Sequence, residues 1–179
     1  MARRSPSISM PGQIYISGLF DMPRYVRLLE PSHLISIIQS EFQPLRPQEI
    51  SAERHLRVAV HDISEPDGFR VLVQADDVRD LLDFAQAWSP EAGSLLVHCY
   101  AGISRSSAAA LIAHSLKTGD PEASAVALRE AAPHVSPNRR IVALADEELG
   151  LGGALVSATE RMAPPTMRLE EETLAVVPI

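Results

Sequence analysis

Two rhythms of apolar residues alternate along the chain. Some runs are apolar at every second position or throughout, and others place apolar residues three and four apart, the spacing of one helix face. QIYISGLF (13–20) alternates and predicts a strand. DMPRYVRLLEP (21–31) predicts a short helix, with Asp21 as cap, Pro23 in the first turn and Pro31 as the stop. SHLISIIQ (32–39) and RHLRVAVHDI (54–63) predict two more strands, separated by the two-proline excursion EFQPLRPQEISAE (41–53). After the turn-rich ISEPDGF (63–69), residues Val78, Leu81, Leu82, Ala85 and Trp88 share one face of a helix and predict buried core.

SLLVH (94–98) is short and almost wholly apolar, as the centre of a sheet requires. From Ser104 the chain is apolar around most of its helical circumference, which predicts a buried helix stopped at Gly119. Asp120-Pro121 opens another helix, and SPNRRIVALADEELG (136–150) a further one with Ser136 as cap. A continuation over 151–164 is weakened by Gly152-Gly153, and the final PPTMRLEEETLAVVPI reads as extended or disordered. Strands alternating with helices predict an α/β fold: a central, mostly parallel sheet of about four to five strands with helices on both faces.

Length and composition narrow the class. The chain's 179 residues suit one domain, expected over 12–150, with a flexible arm over 1–11 and a helical or extended tail over 151–179. Acidic residues outnumber basic ones, 23 to 16, which argues against a nucleic-acid partner but leaves room for a locally positive pocket. A single cysteine forms no internal disulfide and points to a reducing compartment, the cytoplasm. The start, MARRSPSISMPG, has no apolar core of a signal peptide, and no apolar run approaches the roughly 18 residues of a membrane span, so no membrane association is expected. Glu170, Glu171 and Glu172 read as a solvated charge run.

The chemistry gathers where that central strand meets the buried helix, in VHCYAGISRSS (97–107). A strand–turn–helix of this kind converges backbone N–H groups and adds the positive end of a helix dipole, a cradle for a tetrahedral oxyanion. Arg105 supplies a planar fork of donors matched to phosphate, and Gly102 gives the backbone the freedom to let the amides converge. Cys99 lies at the floor of that cradle. Cysteines beside cations and helix N-termini act as thiolates, and Ser106 is placed to donate a hydrogen bond to the sulfur. The turn is built to attack phosphate, with Tyr100, Ala101, Gly102, Ile103, Ser104 and Arg105 as the phosphate-binding residues.

HCYAGISRS resembles the cysteine-x5-arginine-Ser/Thr signature of the protein tyrosine phosphatase superfamily, and its wording is most similar to the dual-specificity branch, in a bacterial-type form. The resemblance runs from about residue 12 to 149, taking in IYISGLF, HDISEPD and SPN (136–138). It implies a carboxylic acid on a separate loop. By position that is Asp62, with Glu65 and Asp67 as rivals; the end of the 54–63 strand places Asp62 more firmly than a turn would. It implies two steps, attack by Cys99 to form a phosphocysteine and hydrolysis by water that Asp62 activates.

The resemblance gives His98 the role of orienting the loop through hydrogen bonds rather than acting as a base. Tyr100 either borders the pocket or packs, and Asn138 needs no role beyond opening a helix. The implied substrate is a phosphorylated protein or peptide. No cofactor is implied, and the six histidines and the carboxylates lack metal-site spacing. A loop interior without lysine argues against inositol lipids. A phosphate-binding module without turnover is the rival reading, set against the filled cysteine, arginine and acid positions.

Overall fold

The structure, a computed structural model, describes residues 12–168 and 173–179, so the predicted arm and the run Glu170, Glu171 and Glu172 lie outside the described residues. Five strands, β1 (Gln13–Ser17), β2 (His33–Ile37), β3 (His55–Val58), β4 (Leu95–His98) and β5 (Leu174–Pro178), form one sheet in the order β3-β2-β4-β1-β5. The first four are mutually parallel, and β5 runs antiparallel along β1. β4 sits in the middle with all four residues buried, as its apolar sequence requires.

Side-chain alternation divides the core into two layers. Tyr15, Leu34 and Leu96 point to one face, where α1 (Met22–Leu29) covers them with Met22, Tyr25, Val26 and Leu29. Ile14, Ile16, Ile35, Ile37, Leu95 and Val97 point to the other. The remaining helices cover that face: α2 (Ala75–Ala87), α3 (Arg105–Thr118), α4 (Pro121–Ala131), α5 (Arg139–Glu148) and α6 (Ala154–Glu160). The predicted stripe of α2 and Trp88 is buried in this layer. Helix α3 runs through its centre, with every residue from Arg105 to Ser115 buried and Gly119 closing it in the left-handed conformation. Its small residues, Ala108, Ala109 and Ala110, let backbone approach backbone on several sides at once.

Several local expectations change. Asp21 occupies the cap position of α1 but makes no side-chain capping bond. Helix α5 is capped not by Ser136 but by Asn138, whose side chain accepts the Ile141 amide at 3.1 Å. The 54–63 strand pairs only over His55–Val58; beyond it the chain turns away, and His61 N–H donates to the Val71 carbonyl at 2.8 Å. The Gly152-Gly153 break is held by buried Asp146, whose carboxylate accepts the amides of Gly153 at 2.6 Å and Leu155 at 2.7 Å. Within the C-terminal segment, read as extended or disordered, residues Leu174–Pro178 form the edge strand β5, with Ala175 and Val177 buried and Val176 exposed. No helix among the described residues is long and apolar enough to cross a membrane.

Candidate active site

At the C-terminal end of β4 the chain turns through residues 99–104 into α3, and the geometry of that loop is set by the partners of its carbonyls. The Cys99 carbonyl accepts from His98 Nδ1 at 3.2 Å, that of Tyr100 from the Leu19 amide at 3.0 Å, and that of Ala101 from Arg168 Nη1 at 2.6 Å. The Ile103 carbonyl accepts the Ser136 amide at 3.1 Å, and that of Ser104 the Asn138 amide at 3.2 Å. Because each peptide is planar and trans, a carbonyl held outward turns the following N–H inward. The amides of Tyr100, Ala101, Gly102, Ser104 and Arg105 therefore face the hollow of the loop. Gly102 N–H donates to Cys99 Sγ at 3.2 Å, and the other four donate to no group among the described residues. Gly102 has φ +74°, and a Cβ there would meet the Ser17 main chain at 2.7 Å, so only glycine fits.

Cys99 is 2% exposed, with its sulfur 3.1 Å from Ser106 Oγ. Arg105, 3% exposed, anchors its Nη1 on Gln39 Oε1 and the Val60 carbonyl, each at 2.8 Å. Its Nε is buried without a partner, and neither Nε nor Nη2 bonds any described residue. Those two nitrogens are the parallel edge of the guanidinium. A buried cation whose fork meets only neutral groups is costly unless an anion completes it. The sulfur, the arginine and Asp62 line one cavity of about 370 Å³, together with Tyr100, Ala101, Ile103, Ser104, Gln39 and Phe42. A larger hollow of about 600 Å³ at Trp88, Pro90 and Ile179 has no thiol or histidine among its described lining.

Asp62 reaches this cavity by a route the sequence did not suggest. It lies past the end of β3 rather than on it, and side chains place it: Ser104 Oγ donates to its Oδ1 at 2.7 Å and Asn138 Nδ2 at 2.9 Å. Its Oδ2 makes no bond to the described residues. Asn138 thus does far more than open a helix, since its side chain caps α5 and holds Asp62 while its amide holds the Ser104 carbonyl. The rival Asp67 is spent locally. It accepts the amides of Phe69 at 3.0 Å and Arg70 at 2.9 Å and pairs with the Arg70 guanidinium, and the hydrogen bonds to Arg70 and Phe69 hold its carboxyl well below the usual carboxylate range. A carboxylate so stabilised is a poor proton donor. Glu65 is exposed and does not line the cavity.

His98 is fully buried, and both ring nitrogens are engaged. Nδ1 lies on the Cys99 carbonyl, Nε2 is 2.7 Å from Ser36 Oγ, and Ser36 Oγ is 2.7 Å from His55 Nε2. Because the carbonyl can only accept, Nδ1 carries the proton; Ser36 then donates to His98 and accepts from His55. Burial lowers the pKa of each histidine to about 4, aided at His98 by Arg105 and at His55 by Arg57. Between about pH 6.5 and 4 the unfolded chain therefore binds protons that the folded chain refuses, and stability falls as pH falls through that window. Urea unfolding should show a loss of about 2 kcal/mol attributable to His98 between pH 7.5 and 5. A flat profile over that range would contradict a neutral His98.

Tyr100 is half-exposed and belongs to an aromatic cluster that sequence reasoning missed. Its ring makes edge contacts with Phe42 at 5.2 Å and Phe20 at 5.9 Å between centroids. Phe20 and Phe42 lie in separate segments with no common motif, so only the fold brings both against Tyr100, and Phe42 and Tyr100 line the cavity. Gln39, Ser36, His55 and Arg168 were missed for the same reason. No group of three or more His, Cys, Asp or Glu side chains able to hold a metal forms among the described residues.

No protein-family model and no curated protein matches the sequence. Solved structures do match its fold. The chain is similar to the PTP-2 phosphatase of Cydia pomonella, with a TM-score of 0.59 and 19% identity over 93% of this chain and 94% of that one. It is similar to DUSP15, with a TM-score of 0.58 and 24% identity over 89% and 97%. It also resembles the human tyrosine phosphatase-like serine/threonine/tyrosine-interacting protein, with a TM-score of 0.61 and 20% identity over 80% and 94%. The architecture is the α/β fold of the tyrosine and dual-specificity phosphatases, a parallel sheet with one antiparallel edge strand and helices on both faces.

Proposed function

We propose that this chain is a cysteine-based phosphomonoester hydrolase that removes phosphate from phosphotyrosine in proteins. The observation that carries the reading is the convergence of donors: inward amides and the Nε–Nη2 edge of a buried guanidinium surround one sulfur. Four of those amides and the Nε and Nη2 of Arg105 hold the phosphoryl oxygens. Cys99 Sγ, as the thiolate, forms a bond to phosphorus while the phosphorus–oxygen bond to the substrate breaks, and Asp62 Oδ2 gives the departing oxygen its proton. Water then attacks the phosphocysteine, Asp62 takes a proton from it, and the sulfur leaves as a thiolate that Ser106 and the Gly102 amide stabilise. Balance is complete: one water enters, and one alcohol and one phosphate leave.

The aromatic cluster of Tyr100, Phe42 and Phe20 favours phosphotyrosine over phosphoserine and phosphothreonine, because an aryl ring entering the cavity gains edge and face contacts that an aliphatic stem lacks. The unpaired thiol suits a reducing cytoplasm. A phosphopeptide panel tests the substrate class, with phosphotyrosine expected to be cleaved fastest. Preference for inositol phosphates would move the reading to non-protein substrates, and tight binding with no release would mark a binding module. Asp62→Asn should lower kcat on phosphotyrosine peptides by about 100-fold or more. The loss should shrink for p-nitrophenyl phosphate, whose leaving group needs little help, and equal turnover of peptides by the two enzymes would remove Asp62 from the reaction.

A further inference from the structure

The outward-facing carbonyls of Cys99, Tyr100, Ile103 and Ser104 accept from His98, Leu19, Ser136 and Asn138, all of which lie ahead of α6 in the chain. The exception is Ala101, whose carbonyl accepts from Arg168, a residue 67 positions along the chain in the segment between α6 and β5. We propose that Arg168 is a positioning residue for the nucleophile, holding the 101–102 peptide in the orientation that aims the Gly102 amide at the Cys99 sulfur. The inference rests on the cysteine-based reading given above and extends it to a part of the chain outside the signature.

The geometry is that of a single rigid plane. At one end of the 101–102 peptide the Ala101 oxygen lies 2.6 Å from Arg168 Nη1. At the other end the Gly102 nitrogen lies 3.2 Å from Cys99 Sγ. Rotating that plane would turn a carbonyl oxygen toward the sulfur in place of a donor. Glycine at φ +74° offers little intrinsic resistance to such a rotation, and no larger residue can supply it, since a Cβ would strike the Ser17 main chain at 2.7 Å. The restraint has to come from the carbonyl side. A guanidinium is the strong choice, because a charge-assisted bond is roughly twice as strong as a neutral one and polarises the amide beyond it.

The bond lies on the outer side of the loop, opposite the inward amides, so Arg168 acts through the peptide and not as a further phosphate ligand. Its segment is tied on both sides. Thr166 N–H donates to the Pro133 carbonyl at 2.9 Å, and beyond the arginine Thr173 bonds the Tyr25 hydroxyl just before β5 pairs with β1. β1 ends at Ser17, whose main chain is the surface against which Gly102 packs. The tail and the loop are thus referenced to the same strand.

The test compares the full-length wild type with Arg168→Ala and Arg168→Lys on p-nitrophenyl phosphate, with inorganic phosphate as competitive inhibitor and a thermal melt of each protein. Absence of turnover by the wild type would overturn the cysteine-based reading itself, an outcome separate from any difference between the wild type and the variants. Given an active wild type, Arg168→Ala should lose about tenfold in kcat, the worth of one charge-assisted hydrogen bond. The phosphate inhibition constant should stay within about twofold, because the oxygens are held by other donors, and Arg168→Lys should recover most of kcat. Unchanged kcat in the alanine variant overturns the inference. So does a gain in turnover, which would mark the tail as an inhibitory strap. So do parallel losses in kcat, phosphate affinity and melting temperature without rescue by lysine, which would mark a purely structural contact.

Discussion

Serine in place of Cys99 should stop turnover of a phosphotyrosine peptide, with a loss of at least about three orders of magnitude, while the protein still folds and binds phosphate. The sulfur is the one atom in the cavity able to attack phosphorus without a base. A serine hydroxyl would need one, and the adjacent histidine cannot serve: His98 is buried, neutral and bonded at both ring nitrogens. The amides and Arg105 are untouched by the exchange, and the smaller oxygen can still accept from Gly102 and Ser106. Stopped-flow on p-nitrophenyl phosphate should show a burst with the wild type and none with the variant. A thermal shift with inorganic phosphate should survive in both. Undiminished turnover would remove Cys99 from the reaction.

Lysine in place of Arg105 should cost a factor of about 100 to 1,000 in kcat/KM, the scale of losing a preorganised donor to a developing oxyanion. One guanidinium does two jobs here. Nη1 is fixed by Gln39 and the Val60 carbonyl, and the opposite edge, Nε with Nη2, remains for two phosphoryl oxygens. An ammonium keeps the charge but cannot span both sets of partners in one plane. Phosphate should raise the melting temperature of the wild type and do so much less in the variant. A lysine variant with wild-type kcat/KM and an equal phosphate shift would show that only charge is required at this position.

The elements that set up the loop were legible because they depend on local pattern. Strand β4 is apolar at nearly every position, and α3 is apolar almost all round, so both had to lie inside. Where a reading failed, the cause was a contact distant in sequence. Asn138 displaced Ser136 as the α5 cap while also binding Asp62, 76 residues away. Asp62 does line the cavity, but a strand end is not what puts it there: β3 ends at Val58, and side chains from two other segments hold the carboxyl. LAVVP is apolar throughout, yet five such residues say nothing about which edge they will join or which of them will be buried.

By itself the sequence determined that a thiol, a glycine and a forked cation would sit together on one strand–turn–helix, since residues 98 to 106 lie too close along the backbone to be parted. Tertiary structure alone decided the rest. It placed the Asp62 carboxyl at the cavity through Ser104 and Asn138, and it gathered Phe20 and Phe42 around Tyr100. It also brought Arg168 to the back of the phosphate loop. Those arrangements rest on hydrogen bonds and packing between remote segments, whose pairing is fixed only when the sheet and its two layers of helices close around one core.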